Sequence, residues 1–299
     1  MSAIPVPYSH LRSAVKAALR EDLYAGDVTT AALFPQDFPA HARILAQEDL
    51  TVAGMEVARC VFTEIDSSIS FNPRYTDSDV VQTGSVLLIL KGSARSLLMG
   101  ERVALNFLQH LSGIATLTTR FCQAVGGYTT KILDTRKTTP GLRMLEKWAV
   151  RLGGGLNHRS SLGDGILIKD NHLDLLQSSG ITLTQACRTA REQGPHGLRV
   201  CVEIRSLDQV RQALEGKADV ILLDNMGPLL VRQAAAMVKG HAVLEVSGGV
   251  TLENVREMAS AGADFISIGA LTHSAPAVDI NMEFFIPPNP KQKTPPRAA

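Results

Sequence analysis

From residue 128 onward the hydrophobic positions fall in short unbroken runs that each end on a polar or charged residue: KILDTR, ILIKDN, LRVCVEI, DVILLDN, VLEVSGG and FISIGAL. Strands buried on both faces of a parallel sheet need continuous apolar runs of this kind. Amphipathic stretches at 206–215, 228–239 and 252–261 separate the later runs by about one βα unit each, which is the α/β pattern of a (β/α) barrel, with six clear strands where a full barrel has eight. The rhythm before residue 112 is different. Residues 8–22 place Leu11, Val15, Ala18 and Leu19 on one helical stripe, and 42–46, 69–75 and 85–90 read as strands, a mixture that suggests a small α+β domain. A long helical pattern covers 100–125 through Val103, Phe107, Leu108, Leu111, Ile114, Leu117 and Phe121, with a break expected at Ser112–Gly113. The predicted domains are 1–112 and 113–274. The polar, proline-rich tail from Pro287, with 289–299 beyond the folded domains, is expected to be disordered.

Composition narrows the class without naming a function. A chain of 299 residues that is 45% hydrophobic and 20% charged has ample core, and no apolar run reaches the roughly 18 residues that span a bilayer. The first 22 residues lack the basic-then-apolar order of a signal peptide, and Cys60, Cys122, Cys187 and Cys201 are scattered without metal-ligand spacing. The expectation is a cytoplasmic protein with reduced thiols and no membrane segment.

Charge changes the picture locally. The net charge is only +1, yet Arg136, Lys137, Arg143, Lys147, Arg151, His158, Arg159, Lys169 and His172 crowd between two apolar runs. Such a cluster in a neutral chain suits a small polyanion and argues against nucleic acid, which draws on a basic face across a whole domain. The carboxyl ends of barrel strands face the active site, and here they carry Asp134 and Arg136, Lys169 and Asp170, Glu203, Asp224 and Asn225, Ser247 and Gly248, and Gly269. The turns VSGGV (246–250) and SIGAL (267–271) fit a phosphate cradle in which glycine admits backbone N–H groups and a following helix adds its dipole, or simply tight βα turns. Glu203 and Asp224 could hold Mg²⁺ against a pyrophosphate or stabilise positive charge on a ribose, or only pair with basic neighbours. Lys169 could form a Schiff base, its cationic neighbours favouring the neutral amine. His158 could be an acid, a base or a donor to an anion. Arg143, Lys147 and Arg151, four residues apart, read as a solvated helix face or as ligand contacts. Trp148, Met144 and His10, His41, His110, His196, His241 and His273 read as packing or surface residues.

The ordered blocks REDLYAGDVTT (20–30), GERVALNFLQHLSGIATLT (100–118), DTRKTTPGLRMLEKWAV (134–150), GGGLNHR (153–159), LIKDNH (167–172), VEI (202–204), ILLDNM (221–226), SGGV (247–250) and ISIGALTHS (266–274) resemble the quinolinate phosphoribosyltransferase family almost end to end. The resemblance implies an incomplete α/β barrel beside an N-terminal open α/β sandwich that the chain rejoins at 275–288. It implies decarboxylating phosphoribosyl transfer from 5-phosphoribosyl 1-pyrophosphate to quinolinate, giving nicotinate mononucleotide in NAD biosynthesis, with Mg²⁺ as cofactor. By that resemblance Arg136, His158 and Arg159 hold the quinolinate carboxylates, joined by Arg102 from the partner subunit of a homodimer that can assemble further. Lys137 and Lys169 meet carboxylate and pyrophosphate charge and, with Glu203 and Asp224, form the catalytic set. Glu203 and Asp224 serve the ribose and the metal, the latter largely through substrate and water. Ser247, Gly248, Gly249 and Gly269 cradle the 5-phosphate.

Cys201, Trp148 and Ser160–Ser161 depart from the family pattern, the last pair bearing on the loop that carries Arg159. Three other readings stay open: a molybdate-transport-associated relative of the same architecture acting on another aromatic acid, a Lys169 lyase, and a noncatalytic phosphosugar-binding module, against which the presence of both Glu203 and Asp224 argues.

Overall fold

The computed structural model describes residues 6–286. The chain divides into two compact units, breaking at Gly113/Ile114 and again at Pro276/Ala277. The tail expected to be disordered lies outside the described residues.

The first unit contains α1 (Tyr8–Asp22), α2 (Val28–Leu33), β1 (Pro39–Ala46), β2 (Leu50–Thr51), α3 (Met55–Ile65), β3 (Ser70–Pro73), β4 (Val80–Val81), β5 (Val86–Ser93) and the first part of α4 (Ala94–Ala124). Leu11, Val15 and Leu19 of α1 are buried as their spacing requires. The chain's last strand, Ile280–Phe284, returns to this unit and pairs antiparallel with β1, giving a four-stranded sheet in the order last strand, β1, β5, β3. A separate antiparallel pair joins β2 to β4.

Helix α4 runs unbroken through Ser112–Gly113, contrary to the break its sequence suggests. The reason is local satisfaction of the serine. Ser112 is fully buried, and its hydroxyl accepts from the Ala53 amide and donates to the Ala53 carbonyl. With those bonds made, the hydroxyl has no need to compete for the helix backbone.

The second unit supplies β6 (Lys131–Leu133), α5 (Arg143–Leu152), β7 (Ile166–Ile168), α6 (Asp170–Gln177), α7 (Leu183–Gln193), β8 (Val200–Ile204), α8 (Leu207–Glu215), β9 (Val220–Asp224), α9 (Pro228–Val238), β10 (Val243–Ser247), α10 (Val255–Ser260), β11 (Phe265–Ser267) and α11 (Ala270–His273). All six predicted strands form, and they make one sheet in the order β6-β11-β10-β9-β8-β7 with every neighbour parallel. Strands β6 and β7 are its two edges, so the barrel is incomplete, as expected. The connecting helices start where the sequence marks them: the Ser206 side chain caps α8 by accepting from the Gln209 amide, and Pro228 opens α9. Gly153 ends α5 against α4, where a Cβ would stand 2.4 Å from the Ala115 carbonyl oxygen. Only glycine permits that approach.

Candidate active site

Parallel strands in register bring their carboxyl ends to one edge, and side chains two residues apart share a face. Register places Ser247 of β10 beside Asp224 of β9 and Ser267 of β11, and Glu203 of β8 beside Leu222. These ends line a cavity of about 480 Å³. Arg136 and Lys137 enter from the segment after β6, His158 and Arg159 from the segment that bridges β6 at Leu133–Leu156, and Lys169 from the end of β7. Eight of the residues expected at the site therefore share this cavity: Arg136, Lys137, His158, Arg159, Lys169, Glu203, Asp224 and Ser247.

His172 of the basic cluster also lines the cavity, whereas Lys147 and Arg143 do something else. Asp134, expected to face the cavity, is fully buried beneath it and accepts from Lys147 Nζ at 2.5 Å, Asn157 Nδ2 at 2.6 Å and the His158 amide at 2.8 Å. Lys147 is 3% exposed, so neither reading of it as a solvated or a ligand-contacting residue holds. Burial pushes the Asp134 carboxyl up and the Lys147 amine down, and the attraction between them opposes both shifts. Arg143 is likewise structural: its guanidinium donates to Thr138 Oγ1 and to the Ser160 carbonyl. The two together clamp the backbone of the segments carrying Arg136, His158 and Arg159. Ser160 and Ser161 donate through their amides to Asp164, which closes the loop behind Arg159. Trp148 and Cys201 are both buried.

The cavity is cationic on one side. Arg136 Nε is buried and finds no hydrogen-bond partner among the described residues. Burial, followed by the positive charges of Lys147, Arg159, Lys169 and Arg136, drives the His158 imidazole down to about 4, so the ring is neutral near pH 7. Its Nδ1 accepts from the Arg159 amide at 2.8 Å, which leaves the ring proton on Nε2.

On the other side the acids are partly satisfied. Glu203 stands 4.0 Å from Lys169 Nζ, and burial raises its carboxyl while Lys169 opposes the rise. Arg205, which stands in no motif, bridges Asp224 at 3.1 Å and Asp170 at 2.7 Å. Lys169 is half-exposed and faces a carboxylate. A Schiff-base lysine is instead desolvated or crowded by cations, so the lyase reading loses its physical basis.

The glycine turns adjoin this side. Gly248 and Gly249 have φ of 86° and 60°, and a Cβ on Gly248 would stand 2.4 Å from Asn225 Oδ1. Gly269 is less tightly packed, with its absent Cβ 3.0 Å from Lys137 Cδ and from His273 Nε2, so His273 stands beside the site rather than apart from it. The helices that follow these turns are short, six residues in α10 and four in α11, and α10 begins only at Val255. Any anion here relies on turn amides more than on the helix dipole that the sequence suggested. Arg102 lies in the first unit, exposed on α4, and does not line the cavity.

Sequence reasoning missed Glu245. It sits on β10 two residues before Ser247, 3% exposed, and lines the cavity with Oε1 3.6 Å from His158 Nε2. Its signal was present, since an acid inside the apolar run VLEVS at the spacing of Ser247 must point the same way.

A cavity lined by cations and carboxylates at the strand ends of an incomplete parallel barrel, with a separate small antiparallel-sheet unit, puts the protein in the class of barrel enzymes whose active sites sit at the carboxyl ends of their strands. The chain matches the family models for the C-terminal domain (residues 114–283) and the N-terminal domain (residues 27–112) of quinolinate phosphoribosyl transferase. It is 42% identical over 263 residues, 88% of this chain and 89% of the other, to the probable nicotinate-nucleotide pyrophosphorylase (carboxylating) of Bacillus subtilis. It is 39% identical over 293 residues, 93% of this chain and 83% of the other, to the mitochondrial quinolinate phosphoribosyltransferase (decarboxylating) 2b of Nicotiana tabacum. The solved structure of the Francisella tularensis nicotinate-nucleotide pyrophosphorylase superposes with a TM-score of 0.88 at 36% identity, covering 94% of this chain and 98% of that one. The chain belongs to the quinolinate phosphoribosyltransferase family.

Proposed function

We propose that the protein transfers the phosphoribosyl group of 5-phosphoribosyl 1-pyrophosphate to quinolinate with loss of carbon dioxide, forming nicotinate mononucleotide and pyrophosphate for NAD biosynthesis. The observation that carries this reading is the unpartnered Arg136 Nε, buried in a cavity shared with Arg159, Lys137 and Lys169. A buried guanidinium donor without an acceptor is costly unless a ligand supplies one, and two guanidinium forks beside a neutral imidazole suit a planar dicarboxylate.

In this reading Arg136, Arg159 and His158 grip the acceptor carboxylates, and Arg102 joins them from a second copy in a homodimer. Lys137 and Lys169 meet carboxylate and pyrophosphate charge. Ser247, Gly248, Gly249 and Gly269 receive the 5-phosphate. The donor set Glu203 and Asp224, two carboxylates beside a phosphate site, suits Mg²⁺, which is typically held by one or two carboxylates plus substrate phosphate and water. Bound there, Mg²⁺ would offset the charge of the pyrophosphate.

The pyridine nitrogen attacks ribose C1 as pyrophosphate leaves, and positive charge grows on the ribose ring. Glu203 and Asp224 face that charge, and the cations opposite fix the acceptor for in-line attack. The alkylated nitrogen then stabilises the electron pair left at the adjacent ring carbon when carbon dioxide departs, and a proton replaces it.

The test supplies purified protein with the phosphoribosyl donor, Mg²⁺ and either quinolinate or nicotinate. Equal release of carbon dioxide and pyrophosphate with quinolinate, and none with nicotinate, supports the reading. A folded protein that turns over neither acceptor overturns it.

A further inference from the structure

Glu245 is the acid of the cavity that this chemistry leaves without work. It is 3% exposed, and its Oε1 finds no hydrogen-bond partner among the described residues although it lines the cavity. The nearest polar ring atom is His158 Nε2, at 3.6 Å, beyond hydrogen-bond reach. The Arg159 amide already occupies His158 Nδ1, so the ring presents its Nε2 proton toward the same space as the unpaired oxygen. A carboxylate anion in that place would repel an acceptor that carries two carboxylates of its own. A neutral carboxylic acid would instead offer a second hydrogen-bond donor beside Nε2–H.

We propose that Glu245 is a substrate-binding residue that meets the acceptor as a neutral acid, donating its O–H to an acceptor carboxylate alongside His158 Nε2–H. The proposal rests on the reading of the acceptor as a dicarboxylate, and it adds a residue that selects for the ionised acceptor through its own protonation. Burial supports it by pushing the Glu245 carboxyl up to about 7, with the Ser267 hydroxyl opposing. The groups around it are Cys201 from β8, Ser267 from β11, His158 with Arg159 behind it, and beyond these Arg136 and Lys169. Cys201 stays a thiol, its pKa raised by burial first and by Glu245 next. His158, held neutral by burial and by the cations around it, gains no charge above pH 6.5.

The consequence is a pH dependence with a defined sign. The neutral acid is lost as pH rises through about 7, so acceptor binding weakens on the alkaline side. The experiment measures KM for quinolinate at pH 6.5 and 8.5 in wild type, Glu245→Gln and Glu245→Ala, with saturating phosphoribosyl donor and Mg²⁺. The amide of Glu245→Gln keeps a donor and cannot ionise. Expected is a rise of about 25-fold in the wild-type KM across this range, near-constancy for Glu245→Gln, and a KM raised at both pH values for Glu245→Ala. A flat wild-type KM, or a Glu245→Gln variant that behaves as Glu245→Ala does, overturns the proposal. Wild type alone gives an independent check: quinolinate binding at pH 8 in weak buffer should take up about one proton per site, and no uptake overturns the proposal. Absence of any turnover in wild type would defeat the function reading, whereas turnover with a flat pH response defeats only this inference.

Discussion

Two acids lie buried in the floor of the same cavity, one under the end of β6 and one on β10, and they are held in opposite ways. Asp134 receives Lys147, Asn157 and a backbone amide, so every approach to it is occupied. Glu245 receives no such set and keeps an oxygen open to the cavity. The first region is a strut, in which a charge pair tethers the loops bearing Arg136 and His158. The second is a surface still to be completed by ligand. What the contrast teaches is that burial alone does not mark a functional acid. The unfilled hydrogen-bond capacity does.

Removing the counter-ion should break the contrast most severely. Lys147→Met leaves Asp134 buried without its cation and should cost about 3 to 5 kcal/mol in denaturant unfolding. Adding Asp134→Asn in the same chain should recover much of that loss, since no buried charge remains; failure to recover would mean the pair does more than neutralise itself.

A smaller effect of opposite sign is expected at β10. Because the folded pKa of Glu245 is raised from 4.5 to about 7, the unfolded chain loses its proton first as pH rises. Wild-type stability therefore falls from pH 4.5 to pH 7 relative to an uncharged isostere. Glu245→Gln should be more stable than wild type by roughly 2 to 3 kcal/mol at pH 8, with the gain gone below pH 4.5. Thermal melts of the ligand-free protein at the two pH values measure this directly, and an equal difference at both would contradict it.

At the turn after β10, Gly248→Ala forces a Cβ into φ +86° against Asn225, which is tied to Asp224 at 2.9 Å. About 1 to 2 kcal/mol of stability should be lost, with a raised KM for the phosphoribosyl donor and a lesser change for quinolinate. The least effect belongs to the rim. Arg205 is 60% exposed, and Arg205→Gln should leave the thermal unfolding midpoint nearly unchanged despite its two ion pairs.

Much of this was legible in the chain because parallel strands buried on both faces announce themselves as unbroken apolar runs. The six strands of the second unit and the cations at their ends follow from that alone. The first unit was harder: the strand Ile280–Phe284 has only five residues, and its pairing with β1 joins positions about 240 residues apart, which no local pattern reveals. Lys147 was misjudged because helical spacing says which residues share a face but not whether that face meets solvent. Glu245 was missed because attention fell on the polar residue that ends the run, while the inward positions of β10 recur every second residue within it. Arg102 came only from its motif; nothing in its local pattern distinguishes it from any exposed arginine on α4.

The most direct test of the account is a single-turnover reaction of wild type and Arg136→Leu side by side, following carbon dioxide and pyrophosphate from quinolinate, the phosphoribosyl donor and Mg²⁺. The account predicts equal yields of the two products in wild type and a fall of about 100-fold or more in both rates when the buried guanidinium is lost. Pyrophosphate released without carbon dioxide, or a folded Arg136→Leu protein that reacts as wild type does, would contradict it.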